Sequence, residues 1–193
     1  MSVPLEFCQE QVFDAIDFRT IHLEKGEYDG CQFINCNFDS SDLSGFEFVE
    51  CEFIGCNLSM SKLRRTLIRD CVFEQCKMMG LRFDTCNSFN LSFSFQGCQL
   101  DHSSFYNCKI PQTVFQATSL IDVEFIESDL TATTFLSCRL NGATFEQTVL
   151  RKVDFRSATG YSFDPSLNTI TGALFSKDQI AGLLEHFNIT VSS

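Results

Sequence analysis

Residues 31–58 read CQFINCNFDSSDLSGFEFVECEFIGCNL. An apolar residue stands at every fifth position of this stretch: Phe33, Phe38, Leu43, Phe48, Phe53 and Leu58. The same spacing extends back to Phe13 and forward to Phe83, and a second run extends from Leu100 to Phe155. A period of five fits neither the 3.6-residue period of an α-helix nor the alternation of a flat strand. The chain is therefore expected to turn after every unit, as in a repeat architecture.

A second position in each unit, two residues before the apolar centre, carries a small or thiol side chain in most units. Ten of the eleven cysteines occupy it, and Cys8 is the exception. Within the repeats no charged residue falls on either position. Free cysteine packs as a small hydrophobic residue, so these thiols are expected to be unpaired and to fill the interior. Their spacing matches no zinc or redox motif, and neither a metal nor a cofactor is expected.

The composition of the chain narrows the functional classes. Its 193 residues include 25 acids and 14 bases, for a net charge of −11. This length predicts one domain, and such an acidic chain should be repelled by phosphate backbones, so direct nucleic-acid binding is not expected. The sequence has neither a membrane-length apolar run nor a basic, apolar leader at its start. We therefore expect no membrane association and a cytoplasmic location.

The units at residues 36–40 (CNFDS), 41–45 (SDLSG) and 128–132 (SDLTA) follow the pattern small, polar, Leu or Phe, and two variable residues. Over about residues 11–158 this pattern resembles the pentapeptide-repeat family. The resemblance implies an all-β fold, a right-handed quadrilateral β-helix with four units in each of about seven coils. Its implied organisation is an N-terminal cap (1–12), the β-helix (13–158) and a C-terminal segment (159–193) for capping and dimerisation.

Residues twenty apart should stack on one another in such a coil. The expected phenylalanine ladders are Phe13, Phe33, Phe53 and Phe73; Phe105, Phe125 and Phe145; and Phe115, Phe135 and Phe155. The repeat frame slips by two residues within 86–95, where a polar Ser88 stands at a centre. Two interpretations remain open for this slip: a packing irregularity, or a kink that presents residues to a partner. The candidate partner-binding residues there are Asn87, Ser88, Phe89 and Asn90.

The C-terminal segment contains an amphipathic pattern. Ser176 and Gln179 form a capping-box pair ahead of apolar residues at helical spacing, which predicts an α-helix over about 177–187, and Ile189 and Val191 then alternate as in a short strand. The segment resembles the C-terminal module of the gyrase-protecting pentapeptide proteins, which include the Qnr quinolone-resistance proteins and immunity proteins against albicidin and microcin B17. That module implies a homodimer, although end-capping alone would also explain the apolar stripe. The candidate dimer-interface residues are Ile180, Leu183, Leu184, Phe187 and Ile189.

No catalytic motif occurs, and His22, His102 and His186 are scattered along the chain, so an enzyme is not expected. The resemblance implies a DNA-mimicking protein that binds DNA gyrase or topoisomerase IV and protects it from a quinolone or a gyrase-targeting toxin. The alternative is a structural or scaffolding protein with an unrelated partner. The candidate acidic surface, which could equally serve solubility, comprises Asp122, Glu124, Glu127 and Asp129. A basic band departs from a simple DNA mimic: Lys62, Arg64, Arg65, Arg69, Lys77 and Arg82.

Overall fold

The computed structural model describes residues 6–187 and Ile189. Eleven short strands follow one another along the chain: β1 Glu6–Gln9, β2 Val12–Asp14, β3 Gly26–Asp29, β4 Gln32–Ile34, β5 Glu47–Val49, β6 Glu52–Ile54, β7 Leu67–Arg69, β8 Cys71–Glu74, β9 Phe93–Gln96, β10 Val114–Gln116 and β11 Thr134–Leu136. They form two parallel sheets, one ordered β1-β3-β5-β7 and the other β2-β4-β6-β8-β9-β10-β11. Parallel bridges between single residues continue the pairing between the strands. The expected parallel β-helix, of about seven turns, is confirmed.

The coil turns at the residue two positions after most centres. Ser40, Met60 and Glu127 adopt φ angles of 57°, 57° and 58° there, in the left-handed region. Such angles are unfavourable for residues with a side chain. They are held because the backbone amide of each corner donates to a carbonyl on the next coil, as Met60 N does to Met79 O at 2.9 Å. Stacking of the coils therefore imposes the turn on many different residue types.

The core contains a continuous column of phenylalanine rings. Neighbouring rings in this column stack with centroids 4.8 to 5.3 Å apart. The expected ladders are confirmed, and two of them are parts of this one column, which also continues to Phe175. The column comprises Phe13, Phe33, Phe53, Phe73, Phe95, Phe115, Phe135, Phe155 and Phe175. A second column comprises Phe83, Phe105, Phe125 and Phe145.

A hydrogen bond to the preceding coil recurs at the small position of many units. The thiol of Cys56 donates to Phe33 O at 3.1 Å, and the hydroxyl of Ser61 donates to Phe38 O at 2.7 Å. In both cases the acceptor lies 23 residues earlier, on the preceding coil. Eleven cysteines are free thiols, and nine of them are buried. Cysteine and serine can therefore replace one another at this position, because each fills a small space and donates one hydrogen bond.

Two phenylalanines also occupy the small position. Phe46 is buried there between Gly26 and Thr66, which precede and follow it by twenty residues. Phe93 is paired with Cys71 and is likewise buried. Small neighbours in the same column leave the volume that each ring fills.

The β-helix begins earlier than residue 13, where the expected N-terminal cap ends. β1 pairs in register with β3, so that Cys8 lies opposite Tyr28, at a centre. Residues 1–5 of the expected cap lie outside the described residues. At the other end, bridges of Val149 with Thr169 and of Asp154 with Leu174 carry the coil past residue 158.

The C-terminal segment is helical, but the predicted α-helix is wrong in type. Two 3₁₀ helices occur instead, Lys177–Leu183 and Glu185–Phe187, and a third covers Pro165–Leu167. Ser176 makes no side-chain cap, and the expected capping box is absent. The segment is pressed onto the last coil at Gly182, where a Cβ would lie only 2.0 Å from Tyr161 O. Tertiary packing therefore sets its winding.

The expected strand after residue 187 is not formed at Ile189, which is exposed and outside any strand. Val191, its expected partner in the alternation, lies outside the described residues.

Candidate partner-binding surfaces

The four candidate acids lie around one coil. Asp122 and Glu127 are at corners, with φ angles of 54° and 58°, and both are exposed. Glu124 and Asp129 are half-buried on two different faces, where they bridge to Ser104 and Lys109 of the preceding coil. The structure thus brings the four residues onto one turn of the chain but spreads them over two faces. The two corner carboxylates are the more accessible to a partner.

Neighbouring side chains hold these carboxylates in place. Glu124 accepts a hydrogen bond from the Ser104 hydroxyl at 2.6 Å, and Glu127 accepts one from the Tyr106 hydroxyl at 3.0 Å. The carboxylate of Glu127 raises the pKa of Tyr106, because the bond to Glu127 favours the protonated phenol. An ordered carboxylate loses less side-chain entropy when it meets a cationic partner.

Asp122 and Asp129 are held in different ways. Asp129 accepts from the backbone amide and the hydroxyl of Thr131, at 2.9 and 2.6 Å. Asp122 Oδ2 lies 3.6 Å from His102 Nδ1. Protonation of His102 would therefore add a positive charge beside Asp122.

Tyr106 was missed by sequence reasoning as part of this surface. It is an exposed aromatic side chain bonded to Glu127. The 20-residue period was the available signal. It places Tyr106 next to Ile126 of the following coil, on the face that carries Glu124.

The slip produces a surface loop. Strand pairing is offset by 20 residues between Glu47 and Leu67, but by 22 between Cys71 and Phe93. The two additional residues are accommodated at Asn87, Ser88, Phe89 and Asn90, which are all exposed. The side chain of Phe89 is 66% exposed.

Polar contacts fix both ends of the loop. The Asn87 side chain accepts from the amide of Phe89 at 3.0 Å. The Ser92 hydroxyl donates to Asp70 Oδ1 at 2.8 Å and accepts from the Asp70 amide at 2.8 Å. Leu91 points into the core. The loop therefore has an ordered base and an outward-facing aromatic residue.

The loop shares a face with part of the acidic surface. Asn87 N donates to Thr66 O on the coil before it, and Lys109 on the following coil bridges to Asp129. One coil, marked by Lys109, therefore separates the loop from Asp129.

The five candidate dimer residues divide into two groups. Leu183 is only 6% exposed and belongs to the core of its own chain, and Leu184 is half-buried. Ile180, Phe187 and Ile189 are exposed. Leu183 therefore seals the end of the β-helix, while the three exposed residues are the ones available to a second subunit.

The three histidines of residues 6–187 do not come together in one site. His22, His102 and His186 are each exposed and lie on different coils or segments. The described residues contain no group of three histidine, cysteine or acidic side chains placed to hold a metal ion. In the same part of the chain, every helix is too short or too polar to cross a membrane.

The family comparisons agree with this architecture. The model "Pentapeptide repeat region" matches residues 98–183, and "Pentapeptide repeats (8 copies)" matches residues 31–70. Together the two ranges cover more than half of the chain. This chain belongs to the pentapeptide-repeat proteins.

Solved structures show the same fold. A trypsin-treated form of QnrB1, described as a plasmid-mediated fluoroquinolone resistance protein, is 15% identical with a TM-score of 0.62, over 97% of this chain and 100% of that one. HetL, a pentapeptide-repeat protein involved in heterocyst differentiation regulation in the cyanobacterium Nostoc sp., is 16% identical with a TM-score of 0.58, over 91% of this chain and 88% of HetL. A comparison with curated protein sequences gives no match.

Proposed function

We propose that this chain is a non-enzymatic, DNA-mimicking protein of the cytoplasm that binds DNA gyrase or a related type II topoisomerase and protects it from an inhibitor. The observation that carries the proposal is the acidic outer surface of a chain with net charge −11. Its most accessible carboxylates are those of Asp122 and Glu127, which are exposed at corners of the coil. Duplex DNA presents about one charge per 1.7 Å of its axis. A negatively charged rod can therefore compete for a cationic DNA-binding surface.

Three further features support this proposal. The fold is that of QnrB1, whose description names fluoroquinolone resistance. The loop carries an exposed Phe89 on the same face as Asp129. Its ordered base places this aromatic side chain where a protein partner can bury it, and aromatic residues are enriched at such interfaces.

We include a homodimer in the proposal. Ile180, Phe187 and Ile189 present apolar side chains at one end of the rod. Pairing of this end with its copy would cover them and would join two acidic rods end to end, as a two-fold interface allows. Replacement of Phe187 by Glu should convert a dimer to a monomer in light-scattering measurements, while replacement of the exposed Leu136, on the side of the rod, should not.

The test of gyrase protection is a supercoiling assay. Gyrase is incubated with a quinolone or a gyrase-targeting toxin, with and without the protein, and rescue of supercoiling is measured. We expect Asp122→Lys with Glu127→Lys to lose the rescue. The control is Glu10→Lys with Glu50→Lys, which makes the same change in net charge at two exposed, left-handed corner positions elsewhere.

The outcomes separate the possibilities. Rescue by the wild type and the control, but not by the Asp122/Glu127 variant, supports the proposal and its site. Equal loss in both variants indicates that net charge alone acts. Neither rescue nor inhibition by the wild-type protein at micromolar concentration would refute gyrase protection.

A structural or scaffolding role with an unrelated partner is the second candidate. The similarity to HetL supports it, because that pentapeptide-repeat protein is described as involved in heterocyst differentiation regulation. Fold alone does not choose between the two roles. A wild-type protein without effect on gyrase that still binds another protein specifically would favour this candidate.

A further inference from the structure

Three cations lie side by side on one coil. Lys62, Arg64 and Arg65, here called the basic strip, surround the buried centre Leu63 and are all exposed. None of the three forms a salt bridge with any residue that the structure describes. The cationic groups of the basic strip are therefore available to an external partner.

Three other arginines of the rod are paired with acids. Arg19, Arg82 and Arg156 each form a salt bridge of 2.7 Å with an aspartate two residues away, and the two partners flank one centre. The sequence provides no such aspartate around Leu63. The basic strip differs from the other described units in having three such cations around one centre, whereas Arg151 and Lys152 form a pair and the other cations without a salt bridge stand singly.

An apolar groove adjoins the basic strip. Met60 is 62% exposed, and its sulfur lies above Gly80, where a Cβ would be only 2.5 Å away. An open groove of about 610 Å³ is lined by Met60, Lys62, Leu63 and Arg64 on one coil, by residues around Gly80 on the next coil, and by Asp42 and Ser44 on the coil before. Methionine adapts to differently shaped apolar groups, and arginine and methionine are both enriched at protein interfaces. The surface can therefore contact an apolar side chain and several carboxylates at once.

The surroundings limit the length of the partner. Asp42 lies on the preceding coil and forms a parallel β-bridge with Lys62. Asp84 lies on the following coil, where Arg82 donates a hydrogen bond to it. A long phosphate backbone that crossed the basic strip would meet these acids and the net charge of −11. A short acidic segment that contacts one coil avoids this repulsion.

We propose that the basic strip and Met60 form a docking surface for a short acidic polypeptide segment that carries an apolar side chain. Its carboxylates pair with Lys62, Arg64 and Arg65, and its apolar side chain lies in the groove against Met60. This surface is separate from the acidic surface at Asp122 and Glu127 and does not depend on gyrase binding. It gives the rod a second, oppositely charged contact region.

The test measures the binding of a short fluorescein-labelled peptide of glutamate and leucine to the full chain by fluorescence anisotropy. Reversal of the basic strip, with Lys62→Glu, Arg64→Glu and Arg65→Glu, should weaken binding by about tenfold or more, because three attractive contacts become repulsive. Met60→Ala should weaken binding of this peptide but leave binding of a glutamate-only peptide unchanged.

The matched control is Lys109→Glu with Arg151→Glu and Lys152→Glu. These exposed residues occupy the same three positions relative to the centres Ile110 and Leu150, and their reversal changes the net charge equally. The control should bind the peptide like the wild type. Thermal unfolding of both triple variants should match the wild type, since none of the six side chains is buried.

Four results would overturn the proposal. They are no peptide binding by the wild type, equal weakening by the control variant, equal binding of a glutamine-and-leucine peptide, and tighter binding of a labelled single-stranded oligonucleotide. The last result would assign the basic strip to nucleic acid. Because the assay contains no topoisomerase, its failure would leave the gyrase proposal unaffected.

Discussion

The rings of Phe73 and Phe95 stack with centroids 5.3 Å apart and planes 15° from parallel, although 22 residues separate them. Other neighbours in this column are 20 residues apart, as Phe95 and Phe115 are. The column of stacked rings therefore continues without a break past the slip, and the two additional residues lie in a loop on the surface. A loop formed in this way can change without disturbing the ring column beneath it.

Deletion of Ser88 and Phe89 should restore the 20-residue spacing and leave the fold intact. Both residues are exposed, while the buried Leu91 remains. We expect a circular dichroism spectrum and a Tm close to those of the wild type, together with loss of any effect on gyrase. Phe89→Ala is the milder comparison. A variant that fails to fold would show that the loop is needed for core packing and would contradict this prediction.

Phe125→Ala should be strongly destabilising. Its side chain is fully buried and stacks on Phe105 and Phe145 at 5.2 Å on each side. We expect the free energy of unfolding to fall by about 3–5 kcal/mol, from lost apolar burial and a remaining cavity. Urea denaturation provides the measurement. Phe89→Ala removes the same atoms from an exposed site and should change stability by about 0.5 kcal/mol or less.

Cys138→Ser should be tolerated, whereas Cys138→Leu should not. The Cys138 thiol donates to Phe115 O at 3.2 Å, and a serine hydroxyl can make the same bond, as Ser61 does to Phe38 O. We expect a cost of about 1 kcal/mol or less for serine. Leucine overpacks the position and should cost about 1–3 kcal/mol. Denaturant midpoints of the two variants would decide, and equal losses would mean that volume does not limit this position.

Asp154→Asn should reduce stability at neutral pH but not at low pH. Hydrogen bonds from the Arg156 side chain, above all, hold the pKa of Asp154 below its ordinary value of 3.8. A lowered carboxyl pKa stabilises the fold above the unfolded-state pKa, and this contribution is lost as the pH falls through the folded-state pKa. The difference in Tm between wild type and variant should therefore shrink as the pH is lowered below about 4. A difference that is constant from neutral to acidic pH would exclude this linkage.

The sequence was most informative where one residue type repeats in one environment. Every phenylalanine at a centre from Phe33 to Phe155 is buried, because a closed coil gives each centre the same interior surroundings. The ladders and the interior thiols followed from counting. The burial of large residues at small positions could not be predicted in this way, since the room for Phe46 depends on Gly26 and Thr66 in neighbouring coils.

The candidate surfaces were predicted less completely. Counting placed Asp122 and Glu127 on the outside, but it did not show that Glu124 and Asp129 lie on different faces or that Tyr106 bonds Glu127. Likewise Leu183 and Phe187 both fit an apolar helical stripe, yet Leu183 is buried and Phe187 is exposed. These distinctions depend on neighbours that are distant in sequence.

The sequence by itself determined that this chain turns after every unit with phenylalanine and small residues inside and charge outside, because a period of five apolar positions can be buried only in that way. Its resemblance to the pentapeptide-repeat family implied the β-helix. The tertiary structure alone decided that the C-terminal apolar segment winds as 3₁₀ helices and that the extra residues of the slip emerge as a loop with Phe89 exposed. It also decided that Lys62, Arg64 and Arg65 form no salt bridge with the residues that the structure describes. The physical reason is that burial at a repeated position is a local property of the chain. Packing at the end of the rod and pairing on its surface instead depend on which side chains the adjacent coils bring together.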